Sequence, residues 1–363
     1  MKIKPFQGSL LQTSLIEDTP QFLYELKNDF SREIEAQYYL KSEKQSYYIY
    51  QIVKNGKSHL GLIVQNDPED ILKHKFLKHE LVLPQKFEMI KGMIDAAGTM
   101  IKPIMVFHKQ VNELNEILLS QVEVLSTTIS VIIEEEIHNI YIVIDEKIIE
   151  SITQLFADRI QEAFIADGHH RYESIRQLTE EGVAMHPPRN INMLSAYFGA
   201  DMLMILPINR LINLPVGISN SDVKTMLKEI GKVKRIKQLF QPDEKYRFTV
   251  ALGQKYYKVK IKKSFIKEYK ILNDPIFTVE IVESELYKGI SRLTSDKMEI
   301  DYLIGNIEIN TILEKADGVE MIVLLPPIKL KDVKKISRQG RTLPAKSTWF
   351  EPKVRSGLII GKI

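Results

Sequence analysis

Apolar and polar positions alternate most clearly in two stretches of the chain. From Tyr47 to Gln65, YYIYQIVKNGKSHLGLIVQ, β-branched and aromatic residues flank Asn55-Gly56, a pair that accepts the positive φ values of a tight turn. The spacing predicts a β-hairpin. In KYRFTVALGQKYYKVKIK, residues Tyr246, Phe248, Val250 and Leu252 alternate, Gly253-Gln254 turn the chain, and Tyr257, Val259 and Ile261 alternate back. Each hairpin is expected to show one apolar and one polar face, and so to cover a core rather than lie within it. Helical spacing follows Ser221, a capping candidate, through Val223, Met226, Leu227 and Ile230, with Gly231 as the stop. Helices are also predicted over Glu113 to Val122 and Asp145 to Ala157. EMIVLLPP, Glu320 to Pro327, reads as a short buried strand, and Asp332 to Arg338 as a basic helix that Gly340 closes.

Strands and helices mix without regular βαβ alternation, which predicts an α+β fold of mixed sheets with helices rather than a doubly wound sheet. The weakest linkage is expected at Leu206 to Ser221, where prolines, glycine and asparagines cluster. The expected organisation is a core domain over 1–210, an appended α/β lobe with a hairpin over 211–320, and a segment over 321–363 that returns to the core and closes the site.

The densest chemistry lies at ADGHHRYESI, Ala166 to Ile175. Ala163 to Ala166 form a small apolar strand, Asp167-Gly168 a turn, and the residues after it a helix. Tyr172, Ile175 and Leu178 lie on one side of that helix, and Gly182 is its stop. A strand, a glycine turn and a helix start together make an anion site, because the first helical turn has unpaired N–H groups and the positive end of the helix dipole. Arg171 adds a forked, permanently charged donor, and His169 and His170 add further donors. A cap alone would explain Asp-Gly, but two histidines and an arginine in succession concentrate polar donors where a helix should bury a face. A metal site built on histidine and aspartate is the competing functional reading. Adjacent histidines point in different directions, and no HExxH spacing is present.

Composition narrows the choice. The 363 residues carry 50 basic and 47 acidic side chains, a net charge of +3, which is too balanced for a generic grip on nucleic acid. The absence of cysteine excludes thiolate metal sites and disulfides. No apolar run reaches the length of a membrane span and MKIKPFQGSL lacks a signal core, so a cytoplasmic protein without a membrane or nucleic-acid partner is expected. A homo-oligomer is left open. GxGxxG and GxxxxGK[ST] loops are absent, which removes support for Rossmann and Walker-type sites.

The motifs KPFQGSL, SYYIYQ, His79-Glu80, KPIMVFH, ADGHHRY, LPINR and KSTWFEPK…SGL, in that order, resemble the family known as domain of unknown function ten-fifteen over essentially the whole chain. The chain departs from that pattern near its N-terminus, where the family's usual proline-proline-tyrosine-aspartate loop is missing. DGHHR is also similar to the phosphate box of the ParB/sulfiredoxin-like free-serine kinases. This second resemblance spans about 20 residues, and it implies a ParB/sulfiredoxin-like strand–DGHHR–helix nucleotide element that cradles the phosphates of ATP or ADP.

Together these readings assign roles to the polar clusters. Gly168, His169, His170 and Arg171 are expected to hold phosphates. Lys346, Ser347, Thr348 and Lys353 supply further phosphate or carboxylate contacts around Trp349. Glu80, next to His79, is the candidate general base. Asp167 is an indirect ligand for Mg²⁺, and Arg210 is a substrate-carboxylate clamp or the partner of an acid across a domain seam. The expected function is nucleotide-dependent phosphotransfer to a small hydroxylated metabolite, with free L-serine first by resemblance. A nucleotide-binding regulatory protein and a metal-dependent hydrolase are the alternatives.

Overall fold

The computed structural model describes residues 1–363 except Ser295, Lys297, Asn306 and Asp317, and side chains other than those of Lys27, Asn28, Asp29 and Leu272. The chain forms two compact units, Met1–Met204 with Pro352–Ile363, and Ile205–Glu351. The stretch Leu206 to Ser221 begins just after the division between the units and contains the strand Ile208–Asn213, which is buried over most of its length. The fold is α+β, with mixed sheets and helices.

The first unit is built on a nine-stranded sheet. Its order is Phe76–Leu77, Ala163–Asp167, Ile104–His108, Met193–Gly199, Lys57–Asn66, Tyr47–Lys54, Glu136–Val143 and Ile129–Ile133, and Ile3–Lys4 also pairs with Lys57–Asn66. Two pairings are parallel, Ala163–Asp167 with Phe76–Leu77 and Met193–Gly199 with Ile104–His108; the others are antiparallel. A smaller sheet joins Tyr39–Lys41, Ser9–Leu11, Ile359–Lys362 and Thr99–Met100, so the C-terminal segment is woven into this unit.

The Asn55-Gly56 hairpin forms as expected, with φ of 50° and 72° at the turn. Its place in the sheet differs from the expectation of one covered face. Tyr47, Tyr48, Ile49, Tyr50 and Ile52 are all almost completely buried. Tyr47 Oη meets Thr153 Oγ1 at 2.8 Å on the helix Glu146–Arg159, while the Tyr48 ring packs on Phe6 at 5.0 Å. Consecutive side chains point to opposite faces, so both faces are covered. Tyrosine disguised this in the sequence, because its hydroxyl looks polar while its ring fills a core. A second hairpin, Ile129–Ile133 with Glu136–Val143, turns on Glu134 and Glu135 at φ of 51° and 66°. No glycine or asparagine announces it.

In the second unit, a six-stranded antiparallel sheet runs in the order Gly231–Ile236, Lys255–Ile261, Arg247–Leu252, Met321–Leu324, Ile208–Asn213 and Glu299–Ile304. Lys255–Ile261 alternates as expected, but Arg247–Leu252 is buried on both faces, with Thr249 Oγ1 donating to Phe240 O at 2.8 Å. The helix Asn220–Ile230 is capped by Ser219 rather than Ser221. Ser219 Oγ accepts from Asp222 N at 3.2 Å, and Asp222 Oδ2 accepts from Ser219 N at 2.9 Å. A capping box needs its acid three residues on, and Ser219 has one there. Among the described residues no helix is long and apolar enough to cross a membrane.

Gly61 tests the tightness of the first unit. A Cβ there would lie 2.6 Å from the Phe198 ring on the neighbouring strand, and that ring is fully buried. Gly61→Ala should therefore destabilise the protein by about 1–3 kcal/mol, read as a lowered urea midpoint with an unchanged slope. An unchanged midpoint would mean that the sheet yields at this point.

Candidate functional site

The strand Ala163–Asp167 delivers the site. It lies between Phe76–Leu77 and Ile104–His108, and its register slips between Ile165 and Asp167. A slip of this kind re-aims the side chain that follows it. Gly168 then turns the chain at φ 96° into the helix His169–Ala184. A Cβ at Gly168 would lie 2.7 Å from Arg171 Nη2 and would have to displace it, while the φ of 96° is left-handed backbone that favours glycine. Tyr172, Ile175 and Leu178 are buried, as expected from their spacing. The helix runs past Gly182 to Ala184, with the Gly182 carbonyl accepting from Arg189 N at 2.9 Å.

Asp167 is the centre of the cluster. Its Oδ2 accepts from Arg171 Nη2 at 3.0 Å and faces Lys102 Nζ at 3.3 Å, and its Oδ1 accepts from Lys353 Nζ at 3.0 Å. Burial alone would raise the Asp167 carboxyl, but Lys102, Lys353 and Arg171 outweigh it and hold the group well below the usual carboxylate range. One carboxylate thus faces three cations from three separate parts of the first unit, an excess of positive charge. Arg171 Nε is buried without a hydrogen-bond partner among the described residues, and so is His169 Nε2. A buried polar atom left unpaired costs about 1–3 kcal/mol, a penalty that a bound acceptor would remove at Arg171 Nε, which can only donate.

His79 and His169 pack edge to face, with ring centroids 4.6 Å apart and both side chains buried. Burial pulls His79 down to about 3 and His169 well below its ordinary value, so both imidazoles are neutral at pH 7. Glu80 Oε2 lies 4.0 Å from Nδ1 of His169, the second residue after Asp167. His170 turns elsewhere. Its Nε2 accepts from Leu83 N at 3.1 Å, at the start of the helix Pro84–Ala97, and Ser174 Oγ of the same helix face donates to Phe87 O at 2.8 Å. Neighbouring residues on a helix point about 100° apart, and the two histidines accordingly meet different partners, His79 and Leu83.

The remaining expected residues belong to the second unit. Arg210 is 1% exposed and donates to Ile208 O and to Lys346 O, the latter at 3.2 Å, with Glu283 Oε1 at 3.7 Å. Its acid therefore lies within the same unit rather than across a seam. Ser347 Oγ donates to Pro344 O at 2.6 Å, and Trp349 Nε1 to Glu351 Oε1 at 3.1 Å. Lys353 falls in the first unit, in the segment that returns to it.

The sequence reading gave no role to Lys102 or to the helix Pro84–Ala97. Lys102 sits just before the strand Ile104–His108, which pairs with the Asp167 strand; its place in KPIMVFH was the available signal. Beside it opens a cavity of about 580 Å³, walled by Met89, Ile90, Met93 and Ile94 and edged by Lys102 and Arg171. For a metal ion the donor set is poor. Among the described residues no group of three or more His, Asp or Glu side chains is placed to hold one, and both oxygens of Asp167 are engaged by cations. An ammonium or guanidinium on each oxygen does not fit a magnesium site centred on Asp167.

Comparison with known proteins adds the following. The model of the family described as protein of unknown function (DUF1015) matches residues 13–286. No curated protein matches the chain. Among solved structures, it is similar to SbnI with C-terminal truncation from Staphylococcus aureus, at 13% identity over 82% of this chain and 87% of that chain, with a TM-score of 0.43. A free serine kinase in complex with AMP is similar at 12% identity over 82% and 92%, with a TM-score of 0.43. A conserved hypothetical protein from Pyrococcus furiosus is similar at 12% identity over 81% and 93%, with a TM-score of 0.41.

The cluster carries a pH signature. Burial pulls the Lys102 ammonium from 10.5 down to about 8, against Asp167, which raises it, and with Arg171 and Lys353, which lower it further. Above pH 8 the folded protein releases this proton while the unfolded chain keeps it to about 10.5, so the stability cost of the buried charge fades as pH rises through that window. An anion held by Lys102 needs the charged form. Affinity for inorganic pyrophosphate, taken relative to Lys102→Met so that the ligand's own ionisation cancels, should therefore be full below pH 8 and fall above it, by at most about tenfold per unit. Calorimetric titration of both proteins from pH 7 to 9.5 reads this; a wild-type profile parallel to that of Lys102→Met would take Lys102 out of the anion site.

Proposed function

The chain belongs to the DUF1015 family, and from its site we propose that it is a nucleotide-dependent phosphotransferase acting on a small hydroxylated metabolite. The observation that carries this reading is the Asp167 cluster: Lys102, Arg171 and Lys353 meet at one strand end, beside a helix N-terminus and two buried polar atoms without partners. Such a set is poor in nucleophiles and rich in donors, which suits chemistry that proceeds by positioning and charge stabilisation. Phosphate oxygens would take the Arg171 Nε donor and the first-turn N–H groups of His169–Ala184, with Lys102 and Lys353 neutralising the remaining charge. ATP or ADP is the donor in this reading.

In the transfer step the acceptor hydroxyl oxygen attacks the terminal phosphorus. The bond from that phosphorus to the bridging oxygen breaks, and the shortened nucleotide leaves with the oxygen and its electron pair. Glu80 takes the hydroxyl proton, with neutral His169 next to it. Free L-serine is the first acceptor to test, on the likeness of DGHHR to free-serine kinases.

Arg171→Ala should weaken ADP binding by about 1.5–3 kcal/mol in calorimetry, whereas Arg176→Ala should change it little. Arg176 is bound by Glu173 and Glu180 and contributes to ion pairs along the helix. Equal small effects of the two variants would remove the phosphate reading.

Glu80→Gln keeps the shape and loses the proton-accepting oxygen. Its turnover with ATP or ADP and L-serine should fall by about 10²–10⁴-fold while nucleotide affinity stays close to wild type. Normal turnover with a lower melting temperature would make Glu80 a structural residue.

A further inference from the structure

The cation cluster accounts for the phosphates of a ligand and leaves its organic part unplaced. Two side chains, Lys102 and Arg171, belong both to the Asp167 cluster and to the edge of the cavity of about 580 Å³. That volume is in the range of small-molecule sites. Its main wall is one face of the helix Pro84–Ala97, where Met89, Ile90, Met93, Ile94 and Ala97 follow helical spacing. Met89 is 62% exposed and Met93 44% exposed, although both sit on a contiguous apolar surface. Such a patch beside concentrated charge marks a binding surface rather than an unfinished core. Methionine is suited to it, because an unbranched thioether adapts to flat rings of different outline.

The polar content of the cavity is equally informative. Apart from the two cations its polar side chains among the described residues are Thr99 and Ser356, whose hydroxyls can donate or accept. Among the described residues no Asn, Gln, Asp or Glu lines it. A pocket discriminates strongly when it offers fixed donors and acceptors that the wrong ligand leaves unpaired, and weakly when its walls are apolar. We propose that this cavity seats the base of the phosphorylated ligand and holds it by apolar contact, without reading its hydrogen-bonding edge, so that the protein accepts nucleoside diphosphates of different bases. This inference rests on the phosphate reading of the preceding subsection and names the substrate class of the same site.

Calorimetry on the full chain with ADP, GDP, CDP and inorganic pyrophosphate tests it, in the wild type and in the double variant Met89→Gln with Met93→Gln. Both positions are substantially exposed, so the substitution keeps the fold and the charge while removing apolar wall. The three nucleotides should bind within about fivefold of one another, and pyrophosphate about tenfold or more weaker. The double variant should lose about tenfold for every nucleotide and keep its pyrophosphate affinity. A preference of about 100-fold for one base would overturn the inference, because it requires an edge-reading group. Nucleotides and pyrophosphate binding alike, with a silent double variant, would also overturn it while leaving the phosphate cradle standing. Failure of the wild type to bind pyrophosphate or any nucleotide would bring down the cradle, and this inference with it.

Discussion

One carboxylate organises this site. Asp167 ends a buried strand, and its two oxygens hold Arg171 from the following helix, Lys102 from the segment before the adjacent strand, and Lys353 from the C-terminal return, 186 residues away. Without Asp167 three cations could not gather in so confined a space, since their mutual repulsion would be unopposed. With it, the positive charge is concentrated but not cancelled. The constraint reaches outward into the fold. The register slip at Ile165 aims Asp167, the positive φ of Gly168 admits the Arg171 guanidinium, and the Ile359–Lys362 strand ties the Lys353 segment into the first unit.

Around that centre the side chains divide by function. The paired neutral imidazoles of His79 and His169 fill the space behind the cluster without adding charge, because burial keeps both deprotonated. His170 and Ser174 fasten the helix Pro84–Ala97 in place, and that helix supplies the apolar wall. A charged end and an apolar end thus share Lys102 and Arg171 as their boundary. This polarity is what a ligand with a phosphate head and a flat, weakly polar body would complement.

The part of the site that is local in sequence was legible there. A strand, an Asp-Gly turn and a helix start lie within ten residues, and all three form where they were expected. The part set by tertiary pairing was not. Lys102 gains its role only because Ile104–His108 runs antiparallel beside the Asp167 strand. His170 Nε2 accepts from Leu83 N, a partner 87 residues away that no local spacing announces. The same limit applied to the fold. The Asn55-Gly56 turn was readable, whereas the turn at Glu134 and Glu135 was not, since those residues adopt left-handed backbone only because the flanking strands impose it. Burial of both faces of Tyr47–Lys54 was hidden by tyrosine, which reads as polar and packs as apolar.

The central claim is that the Asp167 cluster receives phosphate. Phosphorus NMR of ADP titrated with the protein reads this at the atoms concerned. The β-phosphorus resonance should shift or broaden on binding, and this change should disappear in Arg171→Ala. Adenine proton resonances that respond to the protein while both phosphorus resonances stay fixed would contradict it, for the ligand would then be held without its phosphates.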